Sequence, residues 1–175
     1  EFVEQAAYAA NIFADTTNTI RILTVWDDGS PRPFVAAAAH RFGSRKSVPV
    51  DNWTSGGFSV AIDLDTGTLG RAAGFGRDGQ IQWFDRHPDS GAQIAGIKIP
   101  LWATVKEEII AVAERFPFLP YVGWDVLLDT QQRVRIIEGN HNSGVRILQV
   151  HGPLLANPRL RAFYQSRNAI SRWAG

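Results

Sequence analysis

The stretch "GWDVLLDTQQRVRIIEGNHNSG", residues 123–144, sets three oxygen-bearing side chains, Asp125, Glu138 and Asn140, into two otherwise apolar runs. Residues 124–128 and 134–138 are short and rich in branched or aromatic side chains, and Asp129-Thr130-Gln131-Gln132 separates them. They read as the two strands of a hairpin. An acid buried in such a run without a partner costs free energy, so Asp125 and Glu138 need a reason to be there. A tight turn centred on Gln131-Gln132 sets Asp125 opposite Glu138. Alternation then puts Glu138 and Asn140 on one side, with Asn142 joining them if the strand continues and His141 pointing away to support the loop. Two facing carboxylates repel each other, and a cation between them reverses the sign. Two carboxylates and an amide oxygen form a hard, all-oxygen set that suits Mg²⁺ or Mn²⁺ rather than zinc. The competing reading is an exposed hairpin whose acids face water. On the metal reading, Asp125→Asn and Glu138→Gln relieve repulsion, so the metal-free protein should be as stable as before or more so.

Composition narrows the field around this hairpin. The 175 residues suffice for one domain with a real core, and 45% hydrophobic, 20% charged and 11% aromatic residues place it among ordinary globular proteins. A net charge of +1 gives no strong field to draw nucleic acid or a membrane surface. Arg41, Arg45 and Lys46 form the one tight basic group, read as a solvated turn and only secondarily as a phosphate contact. The absence of cysteine excludes disulfides, thiolate zinc sites and cysteine nucleophiles. No apolar stretch is long enough to span a bilayer and no signal peptide is evident, so a cytoplasmic setting is expected. The chain lacks Met and begins at Glu1, which suggests a piece of a longer polypeptide.

The chain reads as strands first and helices later. Residues 1–14 are Ala-rich and expected to be helical. Residues 19–26 form a strand closed by the turn at Asp27-Asp28-Gly29, with residues 34–42 as its hairpin partner despite four consecutive alanines. Gly56-Gly57 opens a strand over 58–64, Asp65-Thr66-Gly67 turns the chain into 68–73, and 77–80 make another turn. Residues 85–96 form a polar loop in which His87 is a loop residue rather than a base. Leu101, Val105, Ile109, Val112 and Phe116 recur at helical spacing ahead of Pro117. Asn157-Pro158 offers an N-cap with proline at the first helical position for a last helix reaching about Trp173. Trp53, Trp83 and Trp102 are expected in the core. The fold class that follows is α+β, with a largely antiparallel sheet and packed helices in a single domain over residues 1–175.

The pattern Gly-Trp-Asp-x12-Glu-x-Asn followed by Ser143-Gly144 resembles the metal-binding hairpin of ATP-grasp enzymes. "NTIRILTV" (18–25), "VDNWTSGGFSVAIDLDTG" (50–67), "HPDSG" (87–91) and "IPLW" (99–102) resemble the sugar-transfer-associated ATP-grasp subgroup and, more distantly, glutamate ligases that modify ribosomal protein tails. The family's usual continuation, Asn-x-x-Pro-Gly, lacks its proline here at Asn142-Ser143-Gly144.

The resemblance implies a C-terminal ATP-grasp lobe with Asp125, Glu138 and Asn140 as ligands of Mg²⁺ (or Mn²⁺) bridging the phosphates of ATP. It implies a catalytic role for Arg21 at the phosphate and acyl end of the site, and a phosphate contact for Asn52. Phe2 and Val3 take the hinge beside adenine, with Ile137 under the base. Read from the residues alone, Arg21 could equally be a strand residue facing water, and Asn52 a cap of the turn into Gly56. The implied reaction converts a small-molecule carboxylate to an acylphosphate, which an amine or other nucleophile then attacks, and the subgroup resemblance alone suggests a sugar-linked acceptor. The family's other lobe supplies a lysine and a glycine-rich lid, and Lys46, Lys98 and Lys106 do not match that lysine. The present chain is therefore expected to carry the metal half of the site and to be inactive alone. The alternatives are a degenerate nucleotide- or partner-binding module and a purely structural domain.

Overall fold

Strand β1 (Ile20–Val25) lies at the centre of the sheet's history: its six residues are all buried, and every later strand is added outward from it. A computed structural model describes residues 3–76 and 78–170. The remaining strands are β2 (Phe34–Phe42), β3 (Phe58–Ile62), β4 (Leu69–Phe75), β5 (Ile81–Phe84), β6 (Tyr121–Leu128) and β7 (Val134–Asn140). They form one antiparallel sheet in the order β5-β4-β3-β2-β1-β6-β7. The α+β class read from the sequence is the class observed.

Alternation along the strands divides the apolar residues between two faces. Ile20 and Ile22 of β1, with Val122, Trp124, Val126 and Leu128 of β6, face one core together with helix α2 (Trp102–Glu114). Leu23, Val25 and Ala39 face the other, covered by Leu148 of α3 (Arg146–Gln149) and by Leu160 and Phe163 of α4 (Pro158–Ser166). Asn157 caps α4 by accepting from the amides of Arg159 at 3.0 Å and Leu160 at 3.2 Å, as its place before Pro158 predicts. The α2 stripe is led by Trp102 rather than Leu101, which is 54% exposed and holds a left-handed φ of 51° at the helix entry.

Four expectations are corrected. The Ala-rich N-terminal segment keeps one helical turn, α1 (Ala7–Ala10), because side chains claim its surroundings: Gln5 donates to the Thr16 carbonyl at 2.8 Å and Asn18 to that of Phe13 at 2.6 Å. Trp53 and Trp102 are buried, but Trp83 on edge strand β5 is 39% exposed. The β6–β7 turn is not centred on Gln131-Gln132. Asp129 pairs with Arg133 around Thr130-Gln131-Gln132, with Gln132 at a φ of 58°. The last helix ends at Ser166, and Trp173 lies outside the described residues. Among the described residues, no helix is long and apolar enough to cross a membrane.

Asp129 explains the turn. Its carboxylate accepts from the amides of Gln131 and Arg133 at 2.9 Å each, and from Arg133 Nε at 2.8 Å and Arg135 Nε at 2.9 Å. Burial pushes this carboxyl up, but the Arg133 amide and the two guanidinium groups outweigh it and hold it well below the usual carboxylate range. Its stabilising contribution is complete above the ordinary aspartate value of about 3.9 and is lost as pH falls from there toward the depressed folded value. Asp129→Ala is therefore expected to lower the melting temperature at neutral pH, with the gap to the parent closing in strongly acid solution. Melting curves of both proteins across the acid range check this, and a gap that ignores pH contradicts it.

Candidate functional site

Arg21 of β1 and Asp125 of β6 are register partners, and Asp125 faces Glu138 of β7. Directly opposed residues of antiparallel strands share a face, so all three side chains project to one side. Arg21 donates through Nε to Asp125 Oδ1 and through Nη2 to Oδ2, the latter at 2.9 Å, while its Nη1 donates to Ser143 Oγ at 3.0 Å. Arg41, near the end of β2, donates from Nη2 to the same Asp125 Oδ2 at 2.9 Å and to Thr19 Oγ1 at 2.5 Å. Its Nε donates to Thr19 Oγ1 at 2.8 Å and lies 3.4 Å from Asp51 Oδ2. Thr19 donates its hydroxyl to Asp51 Oδ2 at 2.6 Å and its amide to the same oxygen at 2.8 Å.

These contacts account for a buried acid in an apolar strand. Asp125 is 2% exposed, and burial alone raises its carboxyl. The Arg21 hydrogen bonds and the charges of Arg41 and Arg21 outweigh burial, holding Asp125 below its ordinary range. Arg21 shows the converse: burial lowers its guanidinium, but Asp125 raises it above the ordinary value. Both stay ionised. The expected gain in metal-free stability on removing Asp125 is thereby overturned, because guanidinium groups already offset the carboxylates. Arg41 is corrected too: it is a half-buried strand residue, and only Arg45 and Lys46 of that basic group are exposed on a turn.

The cluster floors a cleft of about 500 Å³ lined by Val3, Thr19, Arg41, Val50, Ile137 and Glu138 among others. Its mouth is apolar, with Val3 37%, Val50 49% and Ile137 54% exposed. Ile137 reaches this cleft through a β-bulge. Ile136 pairs with Val126 and Glu138 with Asp125, leaving Ile137 the extra residue. The longer turn shifts the register by one residue and the bulge shifts it back, so Asp125 meets Glu138 as the shorter turn predicts. A bulge re-aims a side chain, and here Ile137 lines the same cleft as Glu138.

Each sequence-predicted residue has a definite place. Glu138 is exposed and accepts from Asn140 Nδ2 at 2.8 Å, so Asn140 lies on its side of the sheet. Val3 and Ile137 line the cleft together, while Phe2 lies outside the described residues. Arg21 sits beneath the cleft rather than in its wall. Asn52 caps the short 3₁₀ turn Trp53–Ser55, accepting from Thr54 N at 3.1 Å and Thr54 Oγ1 at 3.0 Å, and its neighbour Asp51 is the one that lines the cleft. His141 is exposed, and the loop is held instead by Ser143, which is 8% exposed. Gly123 permits this contact: a Cβ there would collide with the Ser143 side chain. Among the described residues, no three His, Cys, Asp or Glu side chains converge as a metal centre. The candidate donors are Asp125, Glu138 and the amide of Asn140, an all-oxygen set that fits Mg²⁺.

Thr19 and Asp51 escaped the sequence reading as site residues, Ser143 entered it only as part of the motif, and Arg41 was placed on a solvated turn. The signal for Arg41 was the β1–β2 hairpin, in which Ala39 faces Arg21 and residue 41 therefore shares its side. Compared with known families, residues 1–165 match the family model described as sugar-transfer associated ATP-grasp. The comparison with curated proteins finds no match.

Asp125→Asn is expected to destabilise the protein by at least about 2 kcal/mol, since it leaves the buried Arg21 without its counter-charge and Arg41 with Asp51 alone. Glu138→Gln, at an exposed position, should change stability by no more than about 0.5 kcal/mol. Urea unfolding of both variants without metal tests the contrast, and a neutral Asp125→Asn would contradict the pairing.

Proposed function

Because the chain belongs to the sugar-transfer associated ATP-grasp family, we propose that it serves an ATP- and Mg²⁺-dependent carboxylate ligase and supplies the metal- and phosphate-binding wall of its site. The family supports an ATP-dependent, ligase-like fold. The observation that carries the finer reading is the polarity of the cleft: an apolar mouth at Val3, Val50 and Ile137 leads to the buried charges of Asp51 and Asp125, with Arg41 in the wall and Glu138 exposed beside them. Adenine fits the first and a phosphate chain the second.

In the proposed reaction a substrate carboxylate oxygen attacks the γ-phosphorus of ATP, the bond to the β-phosphate oxygen breaks, and ADP leaves. A nucleophile then adds to the acyl carbon and inorganic phosphate departs with the bonding pair. Asp125, Glu138 and Asn140 would hold Mg²⁺, which when bound supplies positive charge to the β- and γ-oxygens. Arg41 offers Nη1, without a partner among the described residues, from the cleft wall to a phosphoryl oxygen. Arg21 positions Asp125 from below. Its Nε, Nη1 and Nη2 each already donate to Asp125 or Ser143 and it does not line the cleft, so its contribution is geometric. With its oxygen engaged by Thr54, Asn52 can meet a phosphate only through its amide hydrogens. The lysine and glycine-rich lid implied for the family are proposed to come from a facing lobe. The acceptor is proposed to be sugar-linked, supported by the family description alone.

One observation favours a second reading, a nucleotide-binding module without catalysis: both oxygens of Asp125 are already paired with arginine. Calorimetric titration with a non-hydrolysable ATP analogue, with and without Mg²⁺, tests binding. The expected result is weak, Mg²⁺-dependent binding that Glu138→Gln abolishes. Binding indifferent to both Mg²⁺ and Glu138 would remove the metal site from the account. Hydroxylamine trapping of acylphosphate by the assembled protein separates ligase from module.

A further inference from the structure

The two arginines on Asp125 are held differently. Arg21 is 8% exposed, inside the sheet, and anchored on three sides by Asp125 Oδ1, Asp125 Oδ2 and Ser143 Oγ. Arg41 is half-buried in the cleft wall, and its single contact with Asp125 runs from Nη2 to Oδ2. Three of roughly four lone-pair positions on Asp125 are thus occupied by guanidinium donors. A cation arriving at this carboxylate meets two positive groups already at hydrogen-bond range. Across the cluster, Arg21 and Arg41 stand against Asp51, Asp125 and Glu138, which leaves only one excess negative charge to attract it. A nucleotide arriving without metal meets that same excess negative charge and is repelled.

Resting on the reading of Asp125 and Glu138 as metal ligands, we propose that Arg41 is an exchangeable counter-ion, paired with Asp125 in the metal-free protein and turned to the phosphoryl oxygens once a divalent cation holds Asp125. Arg41 is the partner that yields because it faces the cleft. Its guanidinium is a rigid plane that turns as one unit, so swinging toward the phosphates takes Nη2 from Asp125 and Thr19 together. Arg21 has no such freedom, since leaving Asp125 would strand two buried charges inside the sheet. Metal and phosphates then assist one another: each brings the charge that the other needs, and Arg41 passes from one anion to the next without being left unpaired. Metal alone must displace Arg41 with nothing to receive it, so it binds weakly.

One substitution should therefore move two affinities in opposite directions. Arg41→Gln in the 175-residue chain is expected to tighten Mn²⁺ alone by about tenfold or more, the scale of one charge-assisted hydrogen bond, and to weaken the Mn²⁺–ATP analogue complex by a similar factor. Mn²⁺ binding is followed by electron paramagnetic resonance and nucleotide binding by calorimetry. Arg41→Lys keeps the charge but cannot span Thr19 and Asp125 together. It should shift both affinities in the same directions by less, and it decides the matter if the glutamine variant fails to fold. Unchanged or weakened Mn²⁺ affinity in the folded variant, with metal–nucleotide binding intact in the parent, overturns the exchange and leaves the metal site standing. A parent chain that binds neither Mn²⁺ nor its nucleotide complex removes the metal site and the exchange with it.

Discussion

A guanidinium group inside a β-sheet is what allows the site to exist. Arg21 and Asp125 are direct cross-strand partners on β1 and β6, both below one-tenth exposed, and neither charge is tolerable there without the other. Their pairing turns two positions that would otherwise weaken the sheet into a rigid platform. Arg41, Thr19 and Asp51 extend it toward β2, and Glu138 extends it toward β7. The helices that cover this face pack on Leu23, Val25 and Ala39, leaving the charged end of the sheet to the cleft.

Strand geometry then decides which side chains can reach a ligand. Asp129 gathers four donors into a longer turn than the pattern suggests, and the bulge at Ile137 absorbs the shift. Without the bulge, alternation would place Ile137 on the face opposite Glu138. With it, an apolar side chain and a carboxylate from adjacent positions share one cleft. The glycines of this hairpin serve close approach: Gly123 admits Ser143 beside Arg21, and a Cβ on Gly139 would lie 2.8 Å from the Trp124 ring.

Local signals carried much of this fold in advance. The bounds of β2 agree with the hairpin partner expected at 34–42, because pairing on both sides compensates for the low strand propensity of four alanines. Asn157-Pro158 announced α4, and the pairing of Asp125 with Glu138 followed from the hairpin alone. What stayed hidden depends on three strands at once. Arg41 meets Asp125 only because β2 and β6 flank β1, a non-local arrangement that no window of sequence contains. The bulge was invisible for a different reason: its shift and that of the turn cancel at the very residues the motif names. The N-terminal segment misled because alanine content favours helix, whereas Gln5 and Asn18 bind the backbone carbonyls around it.

The central claim is that Asp125 is a buried carboxylate kept ionised by Arg21 and Arg41, and its own titration is the most direct test. Carbon-13 labelling of the aspartate carboxyls, with Asp125 assigned by substitution, reports its protonation in the metal-free protein. The predicted result is a titration below the ordinary aspartate value of about 3.9, moving upward in Arg41→Gln as one partner is lost. A carboxyl that titrates at or above the ordinary value would mean that burial prevails over the arginines, and the platform described for this site would not stand.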